Sequence, residues 1–191
     1  RFEVFRYLGR HVHFLVFGGA LSAADVHCSL DLEFAQAFDA ALDAYGAALT
    51  LDPQNRDAWV NYASTCKDLD RPSEALEAYD HALAIDPKAL SGSAYTSLGT
   101  LYYKVPGFPL GFGDHDKAGE LLQRALKLNP NGIDPNYFYA EYLYEQGKYR
   151  EALQYLDRAT KAAPRPGREL ADKGRHGEIA KLQAKVKEKL G

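Results

Sequence analysis

The sequence lacks several features that would point to a function class at once. It has no methionine, two cysteines and one tryptophan among 191 residues. Two cysteines cannot build a disulfide framework or a four-cysteine zinc site. The net charge of −3 disfavours general binding to nucleic acid. Because methionine is missing and Arg1 comes first, we expect the N-terminus to be processed, trimmed or incomplete.

Long apolar runs are also missing. The run after Arg10 covers about eleven residues, whereas a membrane-spanning helix needs about 20. No membrane span is therefore expected. Residues 1–21 combine a basic start with a short apolar stretch, which leaves two interpretations. They form either a secretory signal or an element that packs on the domain behind them, and we favour the packing element.

Prolines mark a repeat in the remainder of the chain. Pro53, Pro87, Pro130 and Pro164 each close a helical pattern, and they lie 34, 43 and 34 residues apart. Since the residue before a proline is pushed out of the helical region, each of these prolines ends a helix. Small and aromatic residues recur at equivalent places ahead of them: Trp59, Tyr62, Ala63, Ala75, Tyr79 and Ala82, then Leu98, Gly99, Tyr102, Ala118, Leu122 and Ala125, then Tyr139, Ala140, Leu143, Ala152, Leu156 and Ala159.

This combination of period and residue types resembles the tetratricopeptide repeat family over about residues 22–164. The resemblance implies an all-α fold, a right-handed solenoid of helix-turn-helix repeats at about 22–55, 56–89, 90–132 and 133–166. One helix pair cannot bury its apolar face alone, so neighbouring pairs must stack. The pattern predicts helices near 24–35, 37–51, 57–69, 73–85, 92–104, 116–128, 134–146, 149–162 and 168–190.

The last of these helices, within residues 165–191, is expected to cap the solenoid. Ile179, Leu182, Val186 and Leu190 form one apolar stripe along it. Residues 161–191 carry nine basic and four acidic side chains, a net charge of +5, whereas residues 1–160 have a net charge of −8. A basic helix is also typical of membrane or nucleic-acid contacts, but a solvated cap face is the favoured interpretation.

The resemblance implies a binding surface on the first helix of each repeat, which lines the concave wall. Tyr137 and Tyr144 are the preferred candidates there, because tyrosine offers an apolar ring and a polar tip to a peptide. Val60 and Ser64 stand where chaperone-binding members have Lys and Asn, so a clamp on a peptide carboxylate is not expected. The full set of groove candidates is Asp57, Val60, Ser64, Lys67, Thr96, Thr100, Tyr103, Tyr137, Glu141 and Tyr144.

The third repeat departs from the pattern by an insertion at residues 105–116 that is rich in proline and glycine. It carries Phe108, Leu110 and Phe112, which either pack into a gap of the solenoid or wall a site for a small-molecule ligand. We favour packing, and we expect Asp116 to cap the helix that follows. The insertion is similar to that of bacterial periplasmic tetratricopeptide proteins of tripartite transporters, which implies a location in the periplasm or cell envelope.

No nucleophile elbow, phosphate loop or convincing metal-ligand set is present, so we expect no enzyme activity, no cofactor and no metal site. We expect a scaffold or adaptor that binds a segment of a partner protein in its concave groove. Two alternatives stay open: a periplasmic ligand-handling subunit beside a transporter, and a structural subunit of a larger assembly. A ligand carrier needs a closed pocket near Phe108, Phe112 and Tyr103, whereas a peptide binder needs an open groove.

Overall fold

The computed structural model describes the backbone of residues 4–8, 11–14 and 23–191, and side chains from residue 36 onward except that of residue 89. Contacts divide the chain into two units, Arg1–Ala37 and Phe38–Gly191. In the described part of the chain, no helix is both long and apolar enough to cross a membrane.

The first unit contains a β-hairpin. Strands β1 (Val4–Leu8) and β2 (His11–Phe14) pair antiparallel. Both are rich in the aromatic and β-branched residues that favour strands. The sequence analysis did not predict this hairpin, and the role expected for residues 1–21 stays a prediction, since residues 1–3, 9–10 and 15–21 lie outside the described residues.

A single long helix follows, α1 (Ala23–Leu51), which begins in the first unit and ends in the second. The sequence analysis expected two helices here, near 24–35 and 37–51, and that break is wrong. The physical reason lies between them: Ala35, Gln36 and Ala37 include no glycine, proline or other turn former, and alanine has the highest helix propensity.

Seven further α-helices and a short 3-10 helix complete the described part of the second unit. Their bounds are α2 (Arg56–Asp68), α3 (Pro72–Ile85), the 3-10 helix (Ala89–Gly92), α4 (Ser93–Lys104), α5 (His115–Leu128), α6 (Ile133–Glu145), α7 (Tyr149–Thr160) and α8 (Glu169–Leu190). The pairs α2–α3, α4–α5 and α6–α7 are hairpins, and each second helix contacts the first helix of the next pair. Helix α4 also contacts α6, and α6 contacts α8, so these three helices form an inner layer.

Small buried residues let the helices of each pair approach closely. Ala63 and Ala75 are fully buried where α2 meets α3, and Ala140 and Ala152 are fully buried where α6 meets α7. At Gly99 of α4 even an added Cβ would lie 2.8 Å from the Leu122 side chain of α5. The largest fully buried side chains of the described part include Tyr79, Leu98, Leu122, Leu143 and Leu156. The predicted all-α solenoid of helix pairs, with α8 at its C-terminal end, is confirmed.

Helix α5 begins one residue earlier than expected, and its cap is a different aspartate. Asp114 is the N-cap, and its Oδ1 accepts a hydrogen bond from the Lys117 backbone N at 3.0 Å. Asp116 lies inside the first turn instead. The backbone N of Asp114 donates to the Tyr102 carbonyl at 2.9 Å, which holds the cap residue at the end of the insertion.

Candidate functional site

The inner layer brings together groove candidates from α4 and α6. Tyr103 at the end of α4 is buried, and its hydroxyl donates a hydrogen bond to the Glu141 carboxylate of α6. The Lys104 ammonium lies 3.1 Å from Glu141 Oε2, and half of its side-chain surface stays exposed. The Tyr103 ring meets the Tyr142 ring edge-on, at 5.9 Å between centroids. The carboxylate of Glu141 thus accepts a hydrogen bond from the Tyr103 phenol and pairs with the Lys104 ammonium, both through Oε2.

Burial and the nearby Glu141 carboxylate raise the pKa of Tyr103 far above its ordinary value. Burial also raises the pKa of Tyr137 above its ordinary value. Both phenols therefore stay protonated at neutral pH and act as hydrogen-bond donors. Neither is poised as a general base, which needs a pKa close to the working pH.

The C-terminal end of the inner layer is fixed by an ion-pair network centred on Asp134, in the first turn of α6. Arg175 of α8 reaches Asp134 Oδ1 through its Nε at 2.7 Å, and its guanidinium lies over the rings of Tyr137 and Phe138, at 4.7 and 4.4 Å from their centroids. Arg165, from the segment before α8, pairs with Asp134 as well. This network fastens α8 to α6.

Asp172 completes the network from the first turn of α8. It is buried, it accepts a hydrogen bond from the backbone N of Arg165 at 2.8 Å, and it pairs with the Arg165 guanidinium at 2.6 Å. The pKa of Asp172 lies below its usual value. The hydrogen bond from the backbone N of Arg165 is the main cause, and the Arg165 guanidinium is a further cause.

We expect the docking of α8 to weaken in acid, with Asp172 as a contributor. A lowered pKa in the folded protein means that Asp172 stabilises the fold above its unfolded-state pKa of about 3.9. That stabilisation is lost as the pH falls through the lower folded-state value. Between about pH 5 and pH 2, the melting temperature should fall more steeply in the wild type than in Asp172→Asn. Thermal melts followed by circular dichroism across this range check it; parallel curves for the two proteins would contradict it.

The remaining groove candidates divide by exposure. Val60 and Thr100 are buried, as is Thr96, so they support the wall and present little surface. Asp57 and Lys67 of α2 are exposed, with 54% and 39% of their side-chain surface accessible. Polar groups accessible to a partner thus lie mainly on α2 and near Glu141.

Two further candidates are partly covered. The Ser64 hydroxyl is 3.0 Å from the Tyr79 hydroxyl, which ties α2 to α3. Tyr144 is half-buried, and its ring contacts the Tyr149 ring at 5.5 Å between centroids.

The sequence analysis missed Lys104, Asp134 and Arg175. Lys104 and its partner Glu141 are 37 positions apart, and Asp134 and Arg175 are 41 positions apart, so nothing local in the sequence shows that they meet across helices.

The insertion divides its three apolar side chains between two roles. Phe112 packs edge-on against Tyr102, at 5.6 Å between ring centroids. Phe108 and Leu110 point into solvent, with 93% and 86% of their surface exposed. The backbone of the insertion closes on itself, since Gly113 N donates to the Pro106 carbonyl at 2.9 Å. The result is a compact loop with an apolar tip.

Possible metal ligands can be located in the described part of the chain. Within the described side chains, no three His, Cys, Asp or Glu residues come together in a way that could hold a metal ion. Asp114, His115 and Asp116 are consecutive residues with oxygen and nitrogen groups that could bind a metal, but Asp114 is engaged as a helix cap. The His115 ring nitrogen lies 3.0 Å from the Gln146 amide.

Stacked helix hairpins with an inner layer of first helices define the class of helical repeat proteins. The family model of the tetratricopeptide repeat matches residues 35–98 and 110–173, which together exceed half of the chain. The chain therefore belongs to the tetratricopeptide repeat family. Members of such repeat classes present extended concave surfaces that bind other proteins.

Solved structures agree on the fold. Two crystal structures of MamA, each 24% identical to this chain, superpose with TM-scores of 0.56 and 0.55. The first match covers 83% of this chain and 92% of that one, and the second covers 82% and 85%. At this level of identity the likeness concerns the fold. No curated protein matches the chain.

Proposed function

We propose that this protein is a non-enzymatic scaffold that binds an extended segment of a partner protein along its inner layer. The main support is the arrangement around Glu141. A carboxylate, the exposed Lys104 ammonium and the half-buried Tyr144 ring lie on α4 and α6, and buried contacts hold the neighbouring side chains in place. A surface ordered before binding loses little side-chain entropy when a partner docks.

The chemistry of this surface favours a segment that carries both charged and apolar side chains. Lys104 of α4 offers a positive charge, and Glu141 of α6 offers a negative one. Tyr144 supplies an aromatic ring of the kind that dominates protein interfaces. We therefore expect the partner segment to pair at least one acidic and one basic group with this wall.

The insertion favours the scaffold over a ligand carrier. A carrier needs Phe108 to close a pocket with Phe112 and Tyr103, but Phe108 is almost fully exposed and Phe112 faces Tyr102. An exposed apolar tip suits contact with another macromolecule. The association with a transporter and the location in the periplasm or cell envelope rest on the resemblance of the insertion and stay predictions.

Truncation of the Tyr144 side chain tests whether the inner layer binds the partner segment. We expect Tyr144→Ala to weaken binding of the captured partner by about tenfold, the effect of a moderate hot-spot residue. The partner is captured with the full chain, identified by mass spectrometry and titrated by isothermal calorimetry. Tyr155→Ala is the matched control, because Tyr155 is also half-buried but lies on α7, the second helix of its pair.

Melting curves of both variants separate binding from folding. The proposal predicts that both variants stay folded and that only Tyr144→Ala binds more weakly. Equal affinity of Tyr144→Ala and the wild type would reject Tyr144 as a groove residue. Equal weakening by Tyr155→Ala would place the binding surface elsewhere.

A further inference from the structure

A groove separate from the inner layer lies between the second half of α1 and the α2–α3 hairpin. It has a volume of about 400 Å³ and is lined by residues that include Gly46, Trp59, Tyr62, Glu77 and His81. A second cavity of about 370 Å³ shares Gly46 and Tyr62 with it. A Cβ added at Gly46 would meet no atom within 4 Å, so the space is open. We name this surface the α1–α3 groove.

The rim of the α1–α3 groove is acidic. Asp39 and Asp43 line it from α1, and Glu77 lines it from α3. These three carboxylates form no ion pair within residues 36–191, whereas Glu74 is paired with Arg71. Acidic side chains outnumber basic ones throughout this region: residues 38–90 carry ten acidic and four basic side chains, a net charge of −6.

Aromatic rings fix the floor of the groove. The Trp59 indole stacks on His81 at 4.6 Å between centroids, and its Nε1 donates to the Pro53 carbonyl at 2.9 Å. Tyr62 meets Trp59 edge-on at 6.3 Å. Tryptophan is the best aromatic partner for a cation, and neighbouring carboxylates add to the attraction. The groove therefore has the chemistry to receive lysine or arginine side chains.

The opposite end of the same chain carries such side chains. Lys181, Lys185 and Lys189 of α8 follow one another at intervals of four residues, and they lie in one exposed row. They form no ion pair within the described residues, unlike Arg165 and Arg175, which are engaged with Asp134. Lys181 and Lys189 are eight residues apart in helix α8, so this basic row spans about 12 Å.

We propose that the α1–α3 groove of one copy of this protein receives the lysine row of α8 from a second copy. The two surfaces lie on different parts of one chain. Two copies can therefore fill both contacts reciprocally about a two-fold axis, or successive copies can join in a ring or open filament. The inference does not rest on the proposed function, which uses the inner layer.

Charge exchange tests this proposal on the full chain. One variant, Asp43→Lys with Glu77→Lys, reverses the groove; the other, Lys181→Glu with Lys185→Glu, reverses α8. All four positions are exposed, so both variants should keep the wild-type circular dichroism spectrum. In sedimentation velocity at about 0.02 M NaCl, the wild type should associate with rising concentration to a dimer or a larger species, and about 0.5 M NaCl should disperse it.

Each reversed variant should lose association by about tenfold or more, and an equimolar mixture of the two should regain it, because each reversed surface then meets its complement. The matched control is Glu120→Lys with Glu151→Lys, the same change of charge at exposed positions of α5 and α7, which should associate like the wild type. The proposal would be overturned if the wild type stayed monomeric at about 1 mM or if the mixture of the two reversed variants stayed monomeric. It would also be overturned if the control associated as weakly as the groove variant.

Discussion

Replacement of Gly113 by alanine is expected to destabilise the protein more than any other change in the insertion. A Cβ at this position would lie 1.9 Å from the Val105 carbonyl oxygen and 2.8 Å from the Pro106 carbonyl carbon. Both are backbone atoms, so the clash cannot be relieved by a side-chain rotation. The loop has to open, and the hydrogen bonds from Gly113 N to Pro106 O and from Asp114 N to Tyr102 O are lost or strained.

The expected cost is about 2–4 kcal/mol, from two backbone hydrogen bonds at about 1 kcal/mol each and the displaced contact of Phe112 with Tyr102. For a chain of this size, that lowers the melting temperature by roughly 5–15 °C. Thermal and urea unfolding followed by circular dichroism measure it.

The control for Gly113→Ala is the same substitution at a glycine that has room for a Cβ. Gly174 lies inside α8, and an added Cβ would meet nothing within 4 Å. Alanine there should stabilise the helix by up to about 1 kcal/mol, since glycine is the poorer helix former. A Gly113→Ala protein that melts like the wild type would show that the insertion adapts freely and that its closed backbone contributes little to the fold.

The repeat architecture could be predicted because its signals are local. Each proline stops a helix through its own ring, and each alanine at a helix contact is required by the close approach of two helices. The seven helices after α1 were therefore placed within one or two residues. The Ala89–Gly92 turn was not predicted, since it holds Leu90 and Ser91 at positive φ, a conformation that neither residue type favours.

The candidate site was harder to predict, because side-chain exposure depends on distant segments. Tyr137 was chosen as an accessible ring, yet Arg175 of α8 covers it and it is buried. Likewise, Phe108, Leu110 and Phe112 look equivalent in sequence, but only the last lies where the closed loop meets Tyr102. Periodicity indicates which side of a helix is apolar, and it does not indicate which other helix will cover that side.

Removal of the Asp134 carboxylate should release α8 from the solenoid. Arg165 and Arg175 share this acceptor, and their side chains are 29% and 21% exposed. In Asp134→Ala, both guanidinium groups lose a partner while still largely shielded from water. We expect a loss of about 2–3 kcal/mol, below the cost of breaking a fully buried pair, because water can reach part of the network.

The destabilisation by Asp134→Ala should be confined to the helices that the ion-pair network joins. A general loss of helix stability would instead affect all helices. Hydrogen exchange should speed up in α8 and the start of α6, while α2 and α3 keep their protection. Asp57→Ala is the matched control: Asp57 also lies in the first turn of the first helix of a pair, but its ion pair within residues 36–191 is with the adjacent Arg56. It should cost no more than about 1 kcal/mol, through the helix dipole. If Asp134→Ala cost no more than this control, or if it loosened α2 as much as α8, the network would not be what holds α8 in place.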